Sequence, residues 1–295
     1  MSIKLSKTST TAPKSYTKES IIQKLPKLYQ QLAQYQTKFT ADGRYSMLVI
    51  LQGMDASGKD GVIKKVFGGM DQNVVDVVSF KAPTQEESAQ DFLWRVHLHA
   101  PAKGQIQVMN RSHYEDILVP MVKKLFPKKT IEKRYDHIND FEWILADSGT
   151  IVVKCFLHVS QAKQLERLYE RLVNPLKHWK HKDSDRETRQ DRDKYIRVYE
   201  EIFETCSLIP WHIIPADQNR YKTRVFGNIL LDEFKKLDLK YPPLVSKYPE
   251  KVLEAKDRRE KKRTEKIIRQ EQKKQIKQKK EQKQKDKQKK DTKDE

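Results

Sequence analysis

Seven consecutive residues, Gly53-Met54-Asp55-Ala56-Ser57-Gly58-Lys59, set two framing glycines, an internal carboxylate and a terminal amine in the spacing G-x-x-x-x-G-K. Such a loop turns backbone N–H groups toward one point, the helix that follows adds its unpaired N–H groups, and a lysine ammonium can bridge the oxygens gathered there. The chemistry is that of binding phosphoryl groups. Asp60 stands where a Ser or Thr hydroxyl would ordinarily face magnesium, so the metal needs another ligand. Asp55 is the candidate, since a carboxylate among phosphates suits a hard cation or a mobile proton. A Gly/Ser/Asp-rich surface turn could carry the same letters. The aliphatic run Met47 to Leu51 before the loop, and Val62, Ile63, Val66 and Phe67 at helical spacing after it, favour the phosphate cradle.

A second run, Ile106 to Met109, leads into Asn110-Arg111-Ser112-His113-Tyr114-Glu115-Asp116. A strand ending in polar residues delivers them to the carboxyl edge of a parallel sheet, where the phosphate loop also emerges. Arg111 can fork onto phosphate oxygens, and Glu115 or Asp116 can hold magnesium or form structural ion pairs. The histidines do not form a zinc site: His97 and His99 are two apart on an expected helix, and His178 and His181 fall in a polar segment. An orienting or structural role suits His113 better than phosphorylation.

Strand-like runs recur at 47–52, 74–80, 106–109, 150–157 and 212–215, each separated by room for a helix. That alternation predicts a parallel sheet covered on both faces, a P-loop kinase-like α/β sandwich of three layers. Residues 1–15 are polar and expected to be mobile, and Ile21, Ile22, Leu25, Leu28, Tyr29 and Leu32 predict a helix within an N-terminal segment 1–40. Thr84 and Glu87 form a capping-box pattern opening a helix through Trp94 and His97, and residues 161–172 are helical again. The core spans 41–245. Within it, Asn174 to Arg192 is poor in apolar residues and rich in charge, the makeup of a basic lid close behind Arg167 and Arg171.

The chain of 295 residues carries a net charge of +19 and 37% apolar residues. From Lys251 onward 20 Lys/Arg oppose 10 Asp/Glu, so about half the excess lies in a Lys/Gln/Glu-rich tail, residues 246–295, either disordered or a single exposed helix. No run nears the roughly 20 apolar residues of a membrane span, and no secretion signal opens the chain. Two cysteines, Cys155 and Cys206, are too few for a disulfide framework. A cytoplasmic protein with reduced thiols is the expectation.

The runs LQGMDASGKDG, SFKAPTQEESAQDFLWRVH, MNRSHYEDILV, TIVVKCFLHVS and WHIIPAD resemble the polyphosphate kinase 2 family over about residues 20–245. NRSHYED, with Asn110 before the arginine, is similar to the subgroup accepting both nucleoside monophosphates and diphosphates. The resemblance implies Mg²⁺-dependent transfer, with Mn²⁺ as a substitute, between inorganic polyphosphate and AMP, ADP or ATP. It further implies that Gly53, Ser57, Gly58, Lys59 and Asp60 belong to the cradle, and that Asp55 and Glu115 serve the metal. Lys81, Arg95, Asn110 and Arg111 match positions around the nucleotide phosphates. Arg167 and Arg171 match the root of the lid, and Lys177 and Lys180, around Trp179, match its KxWK pattern. A homodimer or homotetramer is implied as well.

Two departures stand out: Ala216-Asp217-Gln218-Asn219-Arg220-Tyr221 lacks the lysine and tryptophan of ADxKWY, and His181-Lys182 replaces an aromatic residue and a serine. Altered affinity or base preference is the expected consequence. An ATP-dependent nucleoside monophosphate kinase shares the loop, lid and cations. A nucleic-acid binder acting through its basic tail would leave Asp55, Lys59 and Arg111 unexplained.

Overall fold

The structure, a computed structural model, describes residues 3–181, 189–245, 254–270 and 272–273. The middle of the expected lid, 182–188 with Lys182, and most of the tail lie outside the described residues. The chain divides into a unit Met1–Tyr241 and a second unit Pro242–Glu295. In the second unit, residues 254–270 form a helix exposed along its length, with Arg258–Glu254 and Lys256–Glu260 pairs one turn apart.

In the first unit β1 (Ser46–Gly53), β2 (Val75–Ser79), β3 (Ile106–Asn110), β4 (Thr150–His158) and β5 (Trp211–Pro215) form one parallel sheet in the order β2-β3-β1-β4-β5. All five coincide with the sequence runs to within a residue or two. The central strand β1 is buried throughout, as a strand covered on both faces must be. Helix α1 (Lys18–Asp42) packs with α9 (Asn219–Lys236), which also meets α2 (Lys59–Phe67). Helix α5 (Glu115–Lys123) packs with α6 (Lys128–Asp147) and α8 (Arg192–Thr205). Successive β4 residues alternate between these layers: Lys154 reaches Glu142 of α6, and Cys155 faces the α9 side near Glu233.

Two expectations are corrected. The helix expected from Thr84 through His97 is two single turns, α3 (Gln85–Ser88) and α4 (Trp94–His97), because Asp91 caps the break by accepting from Leu93 N–H. The capping box at Thr84 and Glu87 is present, but His99 lies beyond the helix. The polar N-terminus is docked instead of mobile. Leu5 is buried, its N–H donates to Glu200, and its carbonyl lies 3.1 Å from His158 Nε2. Farther along, Thr10 Oγ1 donates to Asp217 and Ala12 N–H donates to Gln218. One buried leucine and side-chain partners from distant elements fix a segment that carries no periodicity of its own.

Below the sheet's carboxyl edge lies a buried polar cluster. Lys154 Nζ donates to Glu142 Oε2 (2.7 Å), Cys206 O (2.9 Å) and the Tyr114 hydroxyl (3.1 Å), while Tyr114 donates to Glu142 Oε1 (2.7 Å). His113 Nε2 lies 3.2 Å from the same carboxylate, so the histidine is structural. Burial would raise the Glu142 carboxyl, but His113 and Lys154 hold it below its ordinary range. Removing one partner strands the other's charge, which costs about 3 kcal/mol or more. Lys154→Met should therefore lose about 3 kcal/mol in denaturant unfolding, and adding Glu142→Leu should restore part of it. Additive losses in the double variant would show that the two residues are not coupled.

Candidate active site

Strand β1 delivers the loop to the carboxyl edge of the sheet. Gly53 has φ 151°, and a Cβ there would lie 2.9 Å from both Leu157 O and Ser57 Oγ. Ser57 N–H closes the turn onto Met54 O, and Ala56 takes φ 61°, a strained value for a side-chain-bearing residue. Gly58, at φ 92°, caps α2. Lys59 is buried and folds back so that Nζ donates to Gly53 O at 2.6 Å and Met54 O at 3.4 Å. Burial first, then the charge of Arg111, lowers its pKa to about 8.

Strand β3 ends beside this loop. Asn110 Nδ2 donates to Asp60 Oδ1 at 2.8 Å, so the residue replacing the usual hydroxyl is tied to the neighbouring strand. Arg111 adopts φ 65°, which swings its guanidinium over two carboxylates: Nη2 lies 2.5 Å from Asp55 Oδ1 and Nη1 3.6 Å from Glu115 Oε2. Burial raises the Glu115 carboxyl against the pull of Arg111 and Lys59. With its amide oriented to satisfy its neighbours, Gln52 donates to Glu115 Oε1 (3.1 Å) and Tyr199 (3.2 Å) and accepts from Ser112.

Of the two acids at the start of α5, Asp116 is taken by Arg95 at 2.9 Å, leaving Glu115 with Asp55 and Arg111. No group of three or more His, Cys, Asp or Glu converges among the described residues. Asp55, with its remaining ligands from phosphate and water, fits magnesium, which binds through one or two carboxylates plus substrate oxygens.

Loop, β3 end, α7 (Gln161–Val173) and the start of α9 enclose a cavity of about 830 Å³. Asp55, Gly58, Lys59, Asp60, Lys81, Asn110 and Arg111 line it, as do Arg167, Arg171, Lys177, Trp179 and Lys180. Lys177, Trp179 and Lys180 sit on a 3-10 turn, Pro175–Lys180, opened by Asn174, whose Oδ1 accepts from Leu176 N–H. Lys177 pairs with Glu170, and Lys180 Nζ lies 4.9 Å from the exposed Trp179 ring.

Several expected residues do not face that space. Gly53, Ser57 and Glu115 lie beneath its lining, and the Ser57 hydroxyl is buried without a partner among the described residues. Arg95 turns inward, donating to Lys81 O at 3.0 Å and stacking on Phe80, so it braces the segment carrying Lys81. Arg167 lines the cavity, but its guanidinium donates to the carbonyls of Ala56 (2.9 Å), Ser57 (3.1 Å), Ala216 (2.8 Å) and Asp217 (2.9 Å). Sequence reasoning missed Gln52, Tyr199 and Lys222. For Lys222 a signal existed: a lysine one turn into a helix that starts where β5 reaches the loop.

The family model described as polyphosphate kinase 2 matches residues 15–242. An AMP/ADP-polyphosphate phosphotransferase from Meiothermus ruber is 44% identical over 227 residues, covering 76% of this chain and 85% of that protein. An ADP-polyphosphate phosphotransferase from Rhodopseudomonas palustris is 36% identical over 72% of this chain and 78% of its own length. Among solved structures, the polyphosphate kinase 2 of Arthrobacter aurescens superimposes with a TM-score of 0.82 at 36% identity, over 86% of this chain and 93% of that one. The chain belongs to the polyphosphate kinase 2 family.

Proposed function

We propose that this protein moves phosphoryl groups between inorganic polyphosphate and nucleoside mono- and diphosphates, AMP to ADP and ADP to ATP, by direct in-line displacement. One observation carries the reading: the phosphate loop and the Asp55–Arg111 pair share a single cavity with the lid cations Arg171, Lys177 and Lys180. A site for one nucleotide needs the first set, and a long anion also needs the second. The name of the Meiothermus ruber relative supports acceptance of both AMP and ADP.

Magnesium, or manganese in its place, is the proposed cofactor, held by Asp55 with Glu115 beneath, and when bound it neutralises charge on the phosphate oxygens. In-line transfer asks little covalent work of the protein. Lys59 exchanges the Gly53 carbonyl for a phosphate oxygen, Arg111 forks onto the transferred group, and the lid cations hold the rest of the polymer. A cytoplasmic homodimer or homotetramer is the proposed form, with nucleic acid meeting only the tail. No helix among the described residues is long and apolar enough to cross a membrane.

Purified protein given magnesium and long-chain polyphosphate, with AMP and then ADP, should yield ADP and ATP from AMP on chromatography. ATP from ADP alone would remove the monophosphate activity, and no product from either would leave the ATP-dependent kinase. Asp55→Asn should lower kcat by a factor of about 100 or more, while its melting temperature stays near the parent's because the amide oxygen still accepts from Arg111, which keeps Glu115 as counter-ion. Substantial activity in a folded Asp55→Asn protein would overturn the metal assignment.

Free Lys59 titrates at about 8. As pH rises through that value its ammonium is lost, so kcat/KM for ADP should be level below it and fall about tenfold per unit above it. Lys59→Arg stays charged and should lack this alkaline limb, whatever its absolute rate. A limb that survives in Lys59→Arg belongs to another group.

A further inference from the structure

Lys222, in the first turn of α9, is 2% exposed, yet no carboxylate pairs with it among the described residues. Its Nζ donates to Ser57 O (2.8 Å), Gly58 O (3.3 Å) and Asn219 Oδ1 (3.2 Å). Three donors therefore meet three acceptors, two of them backbone carbonyls of the phosphate loop. The ammonium stands against the Gly58 backbone, whose φ of 92° favours glycine. Arg167 takes Ala56 O and shares Ser57 O from the adjoining side.

We infer that Lys222 is a positioning residue of the phosphate loop: from the cavity wall its ammonium holds the Ser57 and Gly58 carbonyls, and so fixes the orientation of the Gly58 and Lys59 N–H groups. This rests on the phosphoryl-transfer reading above. The direction follows from planarity, because in a trans peptide the N–H points opposite to its own C=O. A cation on the carbonyl also polarises the peptide, strengthening its N–H as a donor. Both residues whose N–H groups are aimed this way line the cavity.

The three hydrogen bonds give folding a use for the amine, but its charge is unfavourable there. The charged groups facing it are Arg167 of α7 and Lys59 and Lys65 of α2, all cations, and burial followed by those charges pushes its pKa down to about 7. A buried amine without a counter-ion is commonly less favourable than an apolar residue of similar shape. The missing negative charge is supplied when a phosphate group enters the cavity, which Lys222 also lines.

The test uses the full chain and three variants: Lys222→Met, Lys222→Arg and the relocated pair Asn219→Lys/Lys222→Met. Position 219 lies on the same helix face, its Oδ1 within 3.2 Å of the present ammonium, so a lysine there can reach the same carbonyls. Melting temperature, kcat and KM for ADP with polyphosphate, and the affinity for tripolyphosphate by calorimetry are measured for each. Lys222→Met should lose about tenfold or more in kcat and bind tripolyphosphate at least tenfold more weakly, beyond what its change in melting temperature accounts for. Lys222→Arg and the relocated pair should each recover most of both.

Parent-like kcat and affinity in Lys222→Met would overturn the inference. So would losses that track melting temperature alone, or a relocated cation no better than Lys222→Met. Should Lys222→Met fail to fold, Lys222→Gln, which keeps a donor without the charge, takes its place under the same criteria. If the parent binds tripolyphosphate but transfers nothing to AMP or ADP, the activity reading fails, and the binding data still judge Lys222. A parent that does not bind tripolyphosphate overturns both.

Discussion

Like charges converge on one cavity, and most of the architecture around it manages their repulsion. Among the described residues nine lysines and arginines line the space, with three carboxylates to oppose them. Such crowding is unfavourable unless each charge finds dipoles or counter-ions. Backbone carbonyls take much of that role: Lys59 rests on Gly53 and Met54, Lys222 on Ser57 and Gly58, and Arg167 on four carbonyls from two loops. Carbonyls are weaker partners than carboxylates, so a polyanion can displace them at modest cost. A site filled with carboxylates would be more stable empty and would bind phosphate less well.

The sheet makes this convergence reproducible. The chain runs from β1 outward to β2, returns through β3 and crosses to β4, leaving a crevice where the order reverses. Gly53 and Asn110 emerge on either side of that crevice, and Arg111, held at φ 65°, spans it to Asp55. The rear wall is fixed from the opposite end of the sequence. Asp217 accepts from Thr10 and from Ser160 N–H while its own carbonyl accepts from Arg167, so the docked N-terminal arm braces the turn from which α9 and Lys222 begin.

What was legible in the sequence is what local pattern determines. Five aliphatic runs gave the strands, and strands in alternation with helices gave the parallel sheet. The loop and the NRSHYED run were legible because each sits where a strand ends, so their side chains had to arrive at one edge. The rest depends on contacts between distant residues. Nothing in the letters around Arg95 says that Asp116 and Lys81 O would turn it inward, nor that Glu200 and His158 would dock Leu5. Lys222 had a positional signal, but its hold on the loop did not show, because those partners lie 165 and 164 residues away. Of the two carboxylates at the head of α5, only the arrangement in space tells which one Arg95 occupies.

Gly61 completes the account of what the site demands of the fold. It lies in the first turn of α2 with ordinary helical backbone, and a Cβ there would meet nothing within 4 Å. Neither conformation nor packing requires glycine, which costs a helix interior about 1 kcal/mol relative to alanine. Yet Gly61 lines the cavity, next to Asp60 and across from Asn110. Gly61 is exposed on the cavity wall, and its missing side chain leaves room there. The strained Ala56 and Arg111, the carboxylate-free Lys222 and this helix glycine are four departures from what stability favours, and all four fall on the loop or the rim of one cavity. Departures of that kind are expected where stability is given up for binding, whereas Lys124, at φ 55° on the C-cap of α5, does not line the cavity, so strain alone does not locate the site.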